Sequence, residues 1–161
     1  MSQAIGKIST PRTVVVVGAT NEVGKAVAQV LTGRGHIVRG VARSLGVALD
    51  DSDALATAFS GADSAYVMIP FDITAPDLHR FEDEVGARLA AAIAKSGVRR
   101  VVLLSGLNAH LRMGTSLGAA LMENGWRRSA STNWCFCAPH SSWRTSPRAW
   151  ALSSRPLPAS S

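Results

Sequence analysis

The sequence predicts an α/β fold, a partial doubly wound parallel sheet followed by an irregular or disordered C-terminal tail. Residues 14–17 are four consecutive valines, and a run that is apolar on both faces is typical of a strand in a parallel sheet covered by helices. A glycine-rich turn at 18–24 follows, and apolar residues recur behind it at helical spacing. Further runs at 36–42, 64–70 and 98–106 predict additional parallel strands.

The residue types and spacing in the turn distinguish two kinds of phosphate site. A P-loop has four residues between its glycines and then Lys followed by Ser or Thr. Here five residues separate Gly18 from Gly24, and Lys25 is followed by Ala26, which argues against a nucleotide triphosphatase. A strand, a glycine turn and a helix in succession instead favour dinucleotide binding, because the free N–H groups at the helix start face a pyrophosphate.

The string GATNEVG resembles the G-x-x-G-x-x-G motif of short-chain dehydrogenase/reductases. Followed by GHIVRGVAR, it closely resembles the NmrA-like group of atypical members of that family. The resemblance implies an NAD(P)-binding Rossmann-type domain over residues 13–136. It also implies a pyrophosphate cradle made of Gly18, Thr20, Asn21, Val23 and Gly24. Asn21 departs from the pattern, because it brings a side chain to a position that is glycine in the family.

Two other strand ends are predicted to contact the cofactor. Arg43 and Ser44 follow the second strand, where a basic residue favours the 2′-phosphate of NADP and an acidic one the 2′-hydroxyl of NAD. We therefore expect NADP rather than NAD, the alternative being that Arg43 is a solvated strand-end residue. The resemblance also places the backbone of Ile69 and Pro70 beside the cofactor, although Ile69 equally suits a buried strand.

The connection after Ser44 is unusually short. Only five residues separate Ser44 from Asp50, whereas a parallel crossover needs a dozen or more. We therefore expect either that the third strand of the family is rudimentary or that the chain rejoins it in an irregular way. Asp51 or Ser52 is predicted to cap a short helix, and a long helix is predicted between Pro76 and the Ser96–Gly97 pair.

Whether the chain is an enzyme is left open by its sequence. Ordinary short-chain reductases use a Tyr with a Lys four residues later, but the single tyrosine, Tyr66, has Pro70 at that position. Ser105 stands where the family keeps an active-site serine, or it is a simple strand-end cap. No catalytic residue is assigned. The alternatives are hydride transfer between NADP(H) and a small carbonyl or quinone, a non-catalytic NADP(H) sensor, and an inactive truncated family member.

Charge and composition limit the other classes of function. Residues 1–106 carry 11 Lys and Arg against 10 Asp and Glu, so most of the net charge of +6 lies in the last third, where no pattern favours nucleic acid. Cys135, Cys137 and His140 provide too few ligands for a closed metal site. Residues 1–12 are predicted to be a short leader. With no apolar run that predicts a membrane span, we expect a cytoplasmic protein.

The tail, residues 137–161, differs in character from the rest of the chain. It is rich in Ser and Pro and has no apolar periodicity, which is typical of disorder. When residues 137–145 are read one base out of frame, permissible codons give LRPALLMEN, similar to a family segment of the type LRPxxFMEN. This suggests the hypothesis that the chain beyond Phe136 is translated off-frame. Sequencing the encoding DNA tests it, because a single-base shift must then restore a family-like continuation.

Overall fold

A computed structural model describes residues 10–70, 72, 74–104, 126, 133–137 and 144–145. Six strands form one sheet, and they are β1 (Thr13–Val17), β2 (Ile37–Val41), β3 (Ser64–Val67), β4 (Arg100–Leu104), β5 (Asn133–Cys137) and β6 (Arg144–Thr145). Their order in the sheet is β2-β1-β3-β4-β5-β6. Neighbours from β2 to β5 pair in parallel, and β6 pairs with β5 in the antiparallel direction.

Within the described residues, three α-helices alternate with the strands from β1 to β4, and they are α1 (Glu22–Gly33), α2 (Ser52–Phe59) and α3 (Leu78–Ser96). A single 3-10 turn follows β2 at Arg43–Leu45. The predicted partial doubly wound α/β fold is therefore confirmed. The caps agree with the sequence too, since Asp51 precedes α2 and Gly97 ends α3 with a φ of 75°.

One face of the sheet holds the main apolar core. Val15 and Val17 of β1 belong to a cluster that also contains the buried side chains of α2 and α3. Leu55 and Phe59 of α2 are fully buried there, and Leu89 of α3 is as well. Successive residues of a strand point to opposite faces, so α2 and α3 cover the same side of β1.

The opposite face of the sheet is covered, within the described residues, by α1. Between α1 and the strands lies an apolar groove of about 380 Å³, whose walls include Val14, Val27 and Leu31. Two valines of the same helix stripe remain open, Val23 with 46% and Val30 with 52% of its surface exposed. The predicted helix is present, but its apolar stripe is only partly covered.

The short connection from β2 to β3 is accommodated without an additional strand. Every residue from 42 to 63 is described, and none of them forms a strand, as the spacing predicts. The chain turns through Arg43–Leu45 and enters α2 almost at once. Arg39 of β2 donates hydrogen bonds to the backbone oxygens of Ala58 and Ser60, at 3.2 and 2.5 Å. These bonds hold the carboxyl end of α2 against the sheet.

Several predictions fall on residues that are not described. They include Ser105, most of the leader (1–12) and most of the tail (137–161). Of the tail, Cys137 ends β5 and Arg144–Thr145 forms β6, paired with residues 135 and 136. The domain boundaries at 12/13 and 136/137 therefore stay predictions.

Candidate functional site

The turn between β1 and α1 is a close-packed corner that two glycines make possible. Gly18 has a φ of +78°, and its N–H donates to the carbonyl of Val41 at 2.9 Å, which joins the ends of β1 and β2. Gly24 is buried in the first turn of α1, where a Cβ atom would overlap the carbonyl group of Gly18. The start of α1 thus lies directly against the end of β1.

Asn21 closes this corner with its side chain. Its Oδ1 accepts from the N–H of Gly24 at 2.7 Å, so Asn21 is the N-cap of α1. Its Nδ2 donates to the sulfur of Met68 at 3.7 Å. Its φ is −83°, an ordinary extended value that any residue can adopt. The glycine of the family motif is therefore not required by the backbone at this position.

A cavity of about 630 Å³ opens beside this turn. Gly18, Thr20 and Asn21 form one wall, Arg43 stands at the end of β2, and Pro70 follows β3. The carboxyl ends of β1, β2 and β3 therefore meet at this cavity. Its volume lies within the range of small-molecule and cofactor sites, about 300–1,000 Å³.

The far wall of the cavity is apolar. Leu49 contributes from the loop before α2, and Phe81 and Val85 contribute from α3. Val85 belongs to the buried core and Phe81 packs against it, while both also line the cavity. Apolar side chains such as these suit an aromatic ring system.

Four charged side chains border the cavity, Arg43 and Arg88 with Asp50 and Asp72. The pKa of Asp72 is lowered, first by the hydroxyl of Thr74 and then by its N–H, which donate to Oδ1 at 2.6 and 2.9 Å. The charge of Arg43 lowers it further. Arg88 lies 3.6 Å from Glu84, whereas Arg43 has no ion pair within 4 Å among the described residues. Its guanidinium is thus available to an anion.

The structure brings together five of the nine residues predicted to bind the cofactor. Gly18, Thr20, Asn21, Arg43 and Pro70 line the cavity. The others lie just outside its lining, and they are Gly24 beneath the turn, exposed Val23 and Ser44, and half-buried Ile69. Sequence reasoning missed Leu49, Asp50, Asp72 and Arg88, which come from loops and a helix whose placement no short motif encodes.

Tyr66, the single tyrosine, lies away from this cavity. It is on β3, it is 9% exposed, and it lines the groove on the opposite face of the sheet. A second titratable group, Glu82 of α3, is 7% exposed and is also outside the cavity lining. Burial raises the pKa of Glu82, and His79, whose Nδ1 lies 3.6 Å from Oε2, partly offsets this. Neither Tyr66 nor Glu82 therefore lies where it could contact a molecule bound in the cavity.

Comparison with known proteins identifies the class to which this fold and turn belong. Residues 10–121 match the NmrA-like family, and the chain belongs to that family. Among curated proteins, no sequence matches the chain significantly. No helix within the described residues is long and apolar enough to cross a membrane.

Solved structures with a similar fold include reductases. A short-chain dehydrogenase/reductase superfamily protein from Agrobacterium tumefaciens, solved with bound NAD, aligns with a TM-score of 0.64 at 22% identity over 77% of this chain and 48% of its own. Triphenylmethane reductase from Citrobacter sp., complexed with NADP(H), gives 0.61 at 16% over 77% and 48%.

An NADPH-dependent quinone oxidoreductase from Escherichia coli, complexed with NADPH, gives a TM-score of 0.56 at 18% identity over 76% of this chain and 47% of its own. The chain spans about half the length of these three proteins. At such identities the similarity establishes the fold, and the chemistry of this chain has to be argued from its own residues.

Proposed function

We propose that this chain binds a nicotinamide dinucleotide, with NADP(H) preferred over NAD(H), in the cavity at the carboxyl ends of β1, β2 and β3. The observation that carries the proposal is the pairing of two features in one cavity, the glycine turn at the start of α1 and the available guanidinium of Arg43. The first suits a pyrophosphate and the second a 2′-phosphate.

The lining of the cavity fits such a molecule. The pyrophosphate would lie against Gly18 and Thr20 of the turn, beside the side chain of Asn21. The adenine ring would pack against Leu49, Phe81 and Val85. The backbone of Ile69 and Pro70, at the end of β3, would flank the nicotinamide side. The Arg43 guanidinium would donate to the 2′-phosphate.

Hydride transfer is the chemistry that a nicotinamide supplies when it is bound. The resemblance of the fold to a triphenylmethane reductase and a quinone oxidoreductase supports a small carbonyl or quinone as the acceptor. Within the described residues, this chain would bind and orient the dinucleotide while the apolar wall excludes water. A substrate side is not defined by the cavity lining.

A second candidate function is a non-catalytic sensor that reports NADP(H) to a protein partner. One observation favours it, namely that Tyr66 faces the groove on the opposite side of the sheet, where it cannot protonate a substrate bound beside the nicotinamide. Titrating purified protein and NADPH with a panel of quinones and aldehydes separates the two candidates. Consumption of NADPH supports the enzyme, and binding without turnover supports the sensor.

The cofactor proposal is tested by calorimetric titration with NADPH and NADH of wild-type protein and Arg43→Ala. Losing charge-assisted bonds to a phosphate should weaken NADPH binding by about 10- to 100-fold and leave NADH within about twofold. Arg34→Ala, an exposed arginine at the end of α1, is the matched control and should change neither affinity. Equal losses for both nucleotides would contradict the role given to Arg43, and no binding to wild-type protein would contradict the proposal that the natural chain binds the cofactor.

A further inference from the structure

We infer that the side chain of Asn21 is an internal competitor for the phosphate position at the start of α1, so that dinucleotide binding requires this side chain to move aside. The inference rests on the proposed function, because it concerns the same cavity. It makes Asn21 a regulator of affinity rather than a ligand of the pyrophosphate.

The first observation is the hydrogen bond from the N–H of Gly24 to Oδ1 of Asn21, at 2.7 Å. A free N–H in the first turn of a helix is the group that a bound phosphate oxygen accepts from. In this chain the carboxamide oxygen already occupies the acceptor position. A phosphate oxygen can reach the same N–H only after the carboxamide leaves.

The second observation concerns space above the turn. The Nδ2 of Asn21 would be 2.7 Å from a Cβ atom on Gly18, so the carboxamide lies directly over this glycine. Its donation to the sulfur of Met68 at 3.7 Å fixes it between the ends of β1 and β3. Gly18 and Asn21 both line the cavity, so the carboxamide fills part of the region where the pyrophosphate would lie.

The backbone conformation of Asn21 allows the effect of its side chain to be tested separately. With a φ of −83° and a ψ of 169°, Asn21 is in a conformation that any residue adopts. Replacement by glycine therefore removes the carboxamide and leaves the turn in place, and glycine is itself an acceptable N-cap. Aspartate keeps the cap and the shape but adds a negative charge, which repels a phosphate.

The test is calorimetric titration with NADPH, NADH and inorganic pyrophosphate of wild-type protein, Asn21→Gly and Asn21→Asp. We expect Asn21→Gly to lower the Kd of all three ligands by about three- to tenfold, since one net hydrogen bond no longer has to be given up. Asn21→Asp should raise the Kd of each by about tenfold or more. If the Kd of inorganic pyrophosphate changes by a factor similar to that of the two nucleotides, the effect lies at the phosphate position.

A second measurement follows the competing bond itself. In wild-type protein without ligand, the Gly24 amide should exchange slowly with solvent, and in Asn21→Gly it should exchange faster until pyrophosphate is added. Asp77→Gly removes the N-cap of α3, whose carboxylate accepts from the N–H of Arg80 at 3.0 Å, and neither Asp77 nor Arg80 lines the cavity. It is the control for loss of a cap as such, and it should not increase affinity.

The outcomes separate this inference from the proposed function. If wild-type protein binds and Asn21→Gly binds within twofold of it, the inference is wrong while the proposed function stands. If only Asn21→Gly binds, the inference is supported in its strongest form, with the site closed in the natural chain. If no protein of the series binds a nucleotide or pyrophosphate, both are overturned.

Discussion

Gly24 shows how a single residue can determine the position of the site. It is buried where α1 crosses the end of β1, and a Cβ atom there would meet the backbone of Gly18 rather than a movable side chain. Backbone cannot be pushed aside without moving the strand or the helix. The close approach of α1 to β1, and with it the cavity beside the turn, therefore depends on glycine at this position.

We predict that Gly24→Ala lowers the free energy of unfolding by about 2 kcal/mol or more, an overpacking effect. Gly33→Ala in the same helix is the matched control, because a Cβ there meets nothing within 4 Å. The control should stabilise α1 by up to about 1 kcal/mol, as alanine does in a helix. Urea unfolding of the two variants measures both. Equal effects would contradict the close contact between Gly24 and the backbone of Gly18.

Glu82 gives a prediction about pH. Burial raises its pKa above the ordinary value of 4.5, so the folded protein holds this proton more tightly than the unfolded chain does. Stability from this group is therefore full below the unfolded pKa and is lost as the pH rises through the raised folded pKa. His79 beside it reduces the effect without reversing it.

Glu82→Gln should therefore raise the free energy of unfolding at pH 7 by on the order of 1 kcal/mol, since a buried charge is removed. For a chain of this length that corresponds to a Tm about 2–4 °C higher. Thermal unfolding between pH 4 and pH 8 checks it. The difference between the two proteins should shrink as the pH falls towards 4.5, and a difference that grows instead would mean that the Glu82 carboxylate is stabilised in the fold.

At the scale of elements, the two sides of the sheet differ in how completely they are covered. Leu55 and Phe59 of α2 are fully buried in the cluster that α3 shares. On the other side, Val23 and Val30 of α1 are about half exposed beside the groove. The same kind of apolar side chain therefore contributes unequally to stability on the two faces.

We predict that Leu55→Ala lowers the free energy of unfolding by about 2–5 kcal/mol, because it leaves a cavity in the main core. Val30→Ala, the matched change on α1, should lie within about 0.5 kcal/mol of wild type, because little buried surface is lost there. Urea unfolding compares them. A large loss for Val30→Ala would show that another element covers the α1 stripe in solution.

The elements could be predicted well from the sequence, since each depends on local signals. Three element boundaries follow from local signals, and the structure reproduces them. These signals are the valine run that ends at Val17, the cap at Asp51 and the glycine at Gly97. Periodicity could not tell that the α1 stripe would stay half open, because exposure depends on what packs over it.

In the site, the turn and Arg43 were found by motif. Arg88 and Asp72 were missed because only the fold brings them to the cavity.

At the scale of the whole molecule, the site lies where the connections change side. The connection from β1 to β2 runs through α1 on one face of the sheet. The connection from β2 to β3 runs through α2 on the other face, and β1 lies between β2 and β3 in the sheet. Open α/β sheets bind ligands at such a point, at the carboxyl ends of the strands.

The most direct test of dinucleotide binding at this point is an amide NMR titration of isotope-labelled protein with NADPH. We predict that the shifted amides cluster at Gly18, Thr20 and Arg43, which line the cavity, and at Gly24, whose N–H lies at the start of α1. Amides beside the groove on the other face, such as Val27 and Val102, should not move. Shifts confined to that groove, or none at saturating NADPH, would contradict the proposal.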